Sequence, residues 1–256
     1  MQNLEVLLVQ SELAWEQPSK NLDNFAMLLA GKTADLIVLP EMFTTGFSMN
    51  PKPFAEPMNG ETVSWMKHLA ARTKAVVTGS VMISDGGKFF NRLLWVTPTG
   101  EVLFYDKRHL FGLLGEQDVY TAGSARKVFN LGPWRVCPQI CYDLRFPVWC
   151  RNQNDYDVLL FVANWPRIRA VAWNALLQTR AIENQCYVIG VNRVGTDGNG
   201  LEFGGESQVI DALGTRIIHL DNSPNIAAIT LKREELEGIR AKLPFLKDRD
   251  NFDIRI

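Results

Sequence analysis

The sequence predicts an α/β protein, and three observations carry that reading. Apolar, β-branched runs alternate along the chain with stretches of helical spacing. Several of those runs, such as DLIVLP (35–40) and DVLLFVAN (157–164), are continuously apolar. Strands of that kind are buried on both faces, with helices outside or a second sheet behind. The 256 residues, 46% of them hydrophobic, hold no internal repeat, low-complexity tract or Pro/Ser-rich linker. Residues 1–256 therefore read as a single domain around one large core.

Taken in order, the expected strands are 4–10, 35–40, 75–83, 91–98, 101–107, 134–141, 157–164, 186–194, 206–213, 215–220 and 225–231. The PTG at 98–100 and the LG at 213–214 mark tight turns between strands. Helices are expected over 19–30, with Ser19 as N-cap, and over 60–73, where Val63, Met66, Leu69 and Ala70 share a face. The longest helix falls at 168–184 and a last short one at 232–242.

Composition excludes several classes. A net charge of −1 gives no basic excess for nucleic acid or an anionic membrane. The opening MQNLEVLLVQ lacks a basic region and is interrupted by Glu5, so it does not read as a signal peptide. No run reaches the ~18 apolar residues of a membrane span. Four cysteines (137, 141, 150, 186) do not form a disulfide framework, which points to a reducing cytoplasm. Cys137 and Cys141 have no second pair or nearby histidine, so no metal is expected.

The informative residues sit just past the buried strands. DLIVLP runs into Glu41, EVLFYD into Lys107 and WRVCPQI into Cys141. Ligands of open α/β sheets bind beyond the carboxyl ends of the strands. A carboxylate, an ammonium and a thiol gathered there suit acyl transfer through a thioester. Glu41 takes the thiol proton, and Lys107 with the backbone N–H of Tyr142 holds the oxyanion. Cys137 lies within its strand and reads as packing, as do Cys150 and Cys186. Pro147 allows a short helix to begin near Phe146. The bland alternative is an ordinary Glu41–Lys107 ion pair beside a buried cysteine. A Cys–His pair is the rival arrangement, with His109 the only histidine close to a candidate site residue. Glu41 holds the better strand-end position, which leaves His109 to orient a neighbour or to touch the rim of the site.

These stretches carry a resemblance. LIVLPEMFTTGF (36–47), YDKRHLF (105–111) and QICYDLRFPVWCRN (139–152) are similar to motifs of the nitrilase, or carbon–nitrogen hydrolase, superfamily. The resemblance covers essentially the whole chain. It implies a four-layer α-β-β-α sandwich of two mixed sheets flanked by helices. It also implies Glu41 as base and acid, Lys107 as oxyanion holder and Cys141 as nucleophile, with no cofactor. Glu116, in LLGEQDVYTAG, matches a further family glutamate that positions the lysine or the substrate; the alternative for it is a solvated loop carboxylate. Members commonly pair through helices, so a homodimer or higher homo-oligomer is expected.

Within the superfamily, FVANWP (161–166), TRAIENQCYVIGVNRVGTDGNG (179–200) and GGESQVIDALG (204–214) look most like bacterial omega-amidases. Such enzymes release ammonia from 2-oxoglutaramate or 2-oxosuccinamate. A deaminated-glutathione amidase is the nearest competitor, and a non-catalytic binding protein of the same fold is the reading from another class. A carboxylate-bearing substrate needs a cationic anchor, for which Arg145 is the candidate. Phe47, Trp165 and Tyr142 are candidate walls of the pocket, and His109 is a candidate for its rim.

Overall fold

The computed structural model describes residues 2–255. Its strands in chain order are β1 (Leu4–Gln10), β2 (Leu36–Val38), β3 (Val76–Asp85), β4 (Lys88–Val96), β5 (Val102–Asp106), β6 (Phe129–Leu131), β7 (Trp134–Ile140), β8 (Val158–Ala163), β9 (Tyr187–Asn192), β10 (Val194–Thr196), β11 (Glu202–Gly204), β12 (Gln208–Ile210), β13 (Arg216–His219) and β14 (Asn225–Leu231). The helices are α1 (Pro18–Leu28), α2 (Glu61–Thr73), α3 (Glu116–Val119), α4 (Pro147–Cys150), α5 (Ala170–Asn184) and α6 (Arg233–Lys242).

Two six-stranded mixed sheets form, ordered β14-β1-β2-β3-β4-β5 and β13-β12-β9-β8-β7-β6. In the first, β1, β2 and β3 run parallel; in the second, β7, β8 and β9 do. Antiparallel strands complete both sheets. Period-two alternation explains the layering. Along β1, Leu4, Val6 and Leu8 enter a core shared with Val158, Leu160 and Val162 of β8. The alternate residues Leu7 and Val9 face Leu22 and Phe25 of α1 and Met66 and Leu69 of α2. On the other side, Leu159 and Phe161 of β8 meet Trp173, Leu177 and Ala181 of α5. Helix, sheet, sheet and helix therefore stack as the family resemblance implied. Close stacking needs Gly190 on β9, where a Cβ would stand 2.6 Å from Leu177 Cδ1.

Several boundaries differ from expectation. Helix α1 begins at Pro18 with Gln17 as N-cap, and Ser19 lies inside its first turn. Proline supplies the helical φ at that position and loses no needed donor. Strand β6 and the β10–β11 hairpin were not anticipated, and the run 186–194 divides at Arg193. Among the described residues, no helix is long and apolar enough to cross a membrane.

Candidate active site

Glu41 lies three residues beyond β2 on a turn stapled to β3. Leu39 N–H donates to Thr78 O (2.8 Å) and Phe43 N–H to Ser80 O (3.1 Å). Met42, at φ +42°, donates its N–H to Ser80 Oγ (2.9 Å). Gly79 permits this approach, since a Cβ there would meet Leu39 Cβ at 2.8 Å. The Glu41 side chain is fully buried. Its Oε1 accepts from Lys107 Nζ (3.0 Å) and Asn91 Nδ2 (2.8 Å), and its Oε2 accepts from the Asn164 N–H (2.7 Å).

Lys107 directly follows β5 and is 1% exposed. Besides Glu41, it donates to both oxygens of Glu116 (3.0 and 2.9 Å). Burial alone would lower its pKa. The Glu116 and Glu41 carboxylates reverse that and hold it above the usual lysine range, so the ammonium persists. Glu116 is itself fully buried, not a solvated loop carboxylate. Burial raises its pKa against the pull of Lys107. Its Oε2 also accepts the Phe111 N–H (2.5 Å), which fixes the loop after β5.

Cys141 directly follows β7 and opens a short 3₁₀ turn, Cys141–Arg145. Its φ is +43°, a left-handed conformation that costs a non-glycine residue about 1–2 kcal/mol. Asp143 holds the turn in place: Oδ2 accepts the Ile140 N–H (3.0 Å) and the Tyr105 hydroxyl (2.8 Å). Its Oδ1 accepts the His109 N–H (2.9 Å). One aspartate thus ties the turn of Cys141 to the segment that bears Lys107. Burial and then the Glu41 carboxylate push the Cys141 thiol pKa well up, against the opposing pull of Lys107. Both effects favour the neutral thiol, a form that needs a neighbouring base before it can attack. The Tyr142 N–H lies in the first turn of the 3₁₀ segment, where backbone donors have no intrahelical acceptor.

A cavity of about 690 Å³ opens over this cluster. Cys141 and Lys107 reach it, and Phe47, Tyr142, Arg145 and Trp165 form part of its wall. The Phe47 ring stands 4.8 Å from Lys107 Nζ. Arg145 lies over the Trp165 ring at 4.9 Å. It does not bridge to Asp143, whose oxygens are taken by Tyr105, Ile140 and His109. The expectation that His109 belongs to the rim is corrected. It does not line the cavity; its Nδ1 faces Asp143 Oδ1 (2.8 Å) and its ring stacks on Phe146 at 3.6 Å. It orients a neighbour instead. Cys137, Cys150 and Cys186 are free and buried against α5, as packing residues. No cluster able to hold a metal occurs among the described residues.

Sequence reasoning missed Asn91, Asn164 and Asp143. Asn91 links Glu41 to Glu116, reaching the latter at 3.4 Å. Asn164, the first residue past β8, clamps Glu41 from both ends, since its Nδ2 also donates to the Glu41 carbonyl (2.6 Å). For Asn164 a signal existed: it is the polar residue that ends an otherwise apolar run.

A thiol and an ammonium reaching one cavity at strand ends, with a buried carboxylate paired to the ammonium on a four-layer sandwich, match a hydrolase of carbon–nitrogen bonds. The chain belongs to the carbon–nitrogen hydrolase family, whose model matches residues 6–241. It is 48% identical to omega-amidase YafV of Yersinia enterocolitica, over 98% of this chain and 99% of that one. It is 32% identical to the 2-oxoglutaramate amidase of Bacillus subtilis, over 94% and 95% of the two chains. A crystal structure of a CN-hydrolase superfamily protein from Xanthomonas campestris, with an arsenic adduct in its active site, superposes with a TM-score of 0.98. It covers 100% of both chains at 44% identity.

Proposed function

We propose that this chain is an omega-amidase, hydrolysing the terminal amide of 2-oxoglutaramate or 2-oxosuccinamate to the 2-oxo acid and ammonia. The observation that carries the reading is the joined set of Glu41, Lys107 and Glu116 beneath Cys141 in a cavity that also holds Arg145. The names of the similar proteins from Yersinia enterocolitica and Bacillus subtilis support the substrate class.

In this mechanism, Glu41 removes the thiol proton as Cys141 Sγ bonds to the amide carbon. The oxyanion is held by Lys107 Nζ and the Tyr142 N–H. As the tetrahedral adduct collapses, the C–N bond breaks and Glu41 returns its proton to the departing ammonia. Glu41 then takes a proton from water as the water attacks the thioester carbon. The C–S bond breaks, releasing the 2-oxo acid, and the thiol is restored. One carboxylate serves both half-reactions, while Glu116 positions Lys107 throughout. Arg145 pairs with the substrate carboxylate, and Phe47 and Trp165 flank the chain between. No cofactor is required. The reading places the chain as a single domain in the cytoplasm, as a homodimer or higher homo-oligomer. Ile168, in the turn just before α5, and Val171, in its first turn, are 84% and 85% exposed and support pairing through that end of the helix.

The test is ammonia release from 2-oxoglutaramate, 2-oxosuccinamate, deaminated glutathione, glutamine, an N-carbamoyl amino acid and a nitrile. Each is run with wild type and Cys141→Ala. Fast turnover of the first two, abolished in a folded Cys141→Ala protein, is the expected result. Preference for deaminated glutathione would replace the substrate, and normal turnover by Cys141→Ala would remove the nucleophile.

A further inference from the structure

We propose that Arg169 joins Arg145 in a two-cation clamp for the 2-oxo acid head, and that Arg169 is the residue that selects a 2-oxo acid amide over the matching 2-amino acid amide. The inference rests on the omega-amidase reading and adds a specificity-determining residue to it.

The argument begins with the charges around the cavity. Five charged side chains line it: Glu16, Lys107, Arg145, Arg169 and Asp197. Three are already engaged. Lys107 lies between two buried carboxylates. Glu16 accepts the Ser48 hydroxyl. Asp197 Oδ1 accepts the backbone N–H groups of Asn199 (2.8 Å) and Leu201 (2.9 Å), which folds its own turn. Arg145 and Arg169 differ, since among the described residues neither forms an ion pair. Arg167, two residues earlier, does pair, with Glu202 at 3.6 Å outside the cavity. The chain thus neutralises one arginine of the PRIR stretch and turns the other, unpaired, toward the cavity.

Both free guanidiniums are held by aromatic rings rather than by anions. Arg145 lies over Trp165 at 4.9 Å and Arg169 over Phe111 at 5.2 Å. A guanidinium stacked in this way keeps its in-plane N–H edge available for an acceptor. Trp165 couples the two. Its ring supports Arg145, and its Nε1–H donates to the Arg169 carbonyl (2.8 Å). Trp165 is in turn fixed by its own N–H to Asn192 Oδ1 (2.8 Å). Trp165 therefore carries the Arg145 guanidinium and fixes the backbone of Arg169, on segments that come after β7 and β8.

Two uncompensated cations exceed what a single carboxylate needs. A 2-oxo acid offers a carboxylate and an adjacent carbonyl oxygen, which are acceptors for both guanidiniums. The matching 2-amino acid presents an ammonium in place of that oxygen, a donor with the same charge as the clamp. Recognition of the oxo oxygen and repulsion of the ammonium are then one electrostatic feature.

The test uses three amides of equal length: 2-oxosuccinamate, succinamate and asparagine. They share the terminal amide and the carboxylate and differ only at carbon 2. kcat/KM is measured by ammonia release for wild type, Arg169→Gln, Arg169→Lys and Arg145→Gln, with melting temperatures as a folding check. Arg169→Gln is expected to lower the preference for 2-oxosuccinamate over asparagine about tenfold or more, the loss of a charge-assisted hydrogen bond. It also narrows the preference over succinamate. Arg169→Lys, which keeps the charge, retains most of the discrimination against asparagine. Arg145→Gln weakens all three, because all carry the carboxylate. Unchanged preferences in Arg169→Gln, or an equal loss on every amide, would overturn the proposal. Failure of wild type to hydrolyse 2-oxosuccinamate would instead sink the omega-amidase reading, before any variant is compared.

Discussion

Replacing Glu116 by Gln separates positioning from chemistry. Glu116 lies 2.9–3.0 Å from Lys107 Nζ, and Glu41 lies 3.0 Å from it on the other side. At those distances each carboxylate attracts the ammonium by about 5.5 kcal/mol at an effective dielectric of ~20. Breaking a buried pair outright costs about 3–5 kcal/mol net, because a charge is left uncompensated. Here Glu41 still holds the ammonium, and removing Glu116's charge relieves its own burial cost. The expected destabilisation of Glu116→Gln is therefore about 2 kcal/mol, read from urea denaturation followed by circular dichroism. The catalytic loss is expected to be larger. Removing an oxyanion donor costs about 10²–10³ in kcat, and a misplaced Lys107 approaches that ceiling. Glu116 does not line the cavity, so KM for 2-oxoglutaramate stays close to wild type. Steady-state ammonia release separates the two constants. A wild-type kcat, or a raised KM with kcat intact, would refute the positioning argument.

Three further outcomes are expected. Cys141→Gly and Cys141→Ala are both inactive, but the glycine variant is the more stable by about 1 kcal/mol, because the +43° φ no longer carries a Cβ; equal melting curves would contradict the strain. Gly198→Ala drives a Cβ into Trp15 Cδ1 on the cavity wall, so KM rises about tenfold with kcat less affected, and unchanged kinetics would show that Trp15 yields freely. Burial would raise the pKa of Asp157, but its bonds to Arg135 and the charge of Arg240 prevail and lower it. A depressed carboxyl contributes stability above its ordinary pKa of ~3.9 that is lost as pH falls through the folded value. Asp157→Asn is expected to lose about 3 kcal/mol at neutral pH. It should also show a flatter acid limb than wild type in denaturation from about pH 6 to 2; parallel limbs would exclude this pair as the source.

The legible part of the sequence was what burial writes into composition. Strands sealed on both faces are apolar throughout, so β2 and β8 stood out, and the first reactive group past β2 was Glu41; β7, which carries Arg135 and Gln139, was marked instead by the turn residues that follow Cys141. What stayed hidden depends on who the neighbours are. Asn164, just past β8, and Asn91, within β4, are ordinary polar residues until the fold brings Glu41 between them. Asp143 looked like a turn residue because its partners, Tyr105 and His109, lie more than thirty positions away in sequence. Arg167 and Arg169 look alike in sequence and part only by their partners, Glu202 for the first and the Phe111 ring for the second. The β10–β11 hairpin has three-residue strands around a Gly/Asp/Asn turn, too short and too polar to leave a pattern. Ser19 yielded to Pro18 because a fixed φ starts a helix at least as well as a capping hydroxyl.

The setting of Cys141 beside the Glu41 carboxylate has a consequence outside the reaction. Peroxides and soft electrophiles consume cysteines through the thiolate. Burial and the Glu41 carboxylate both favour the neutral form of Cys141, which lowers the thiolate open to them. Reactivity toward such reagents is then set by access through the cavity that Cys141 lines as well as by its ionisation.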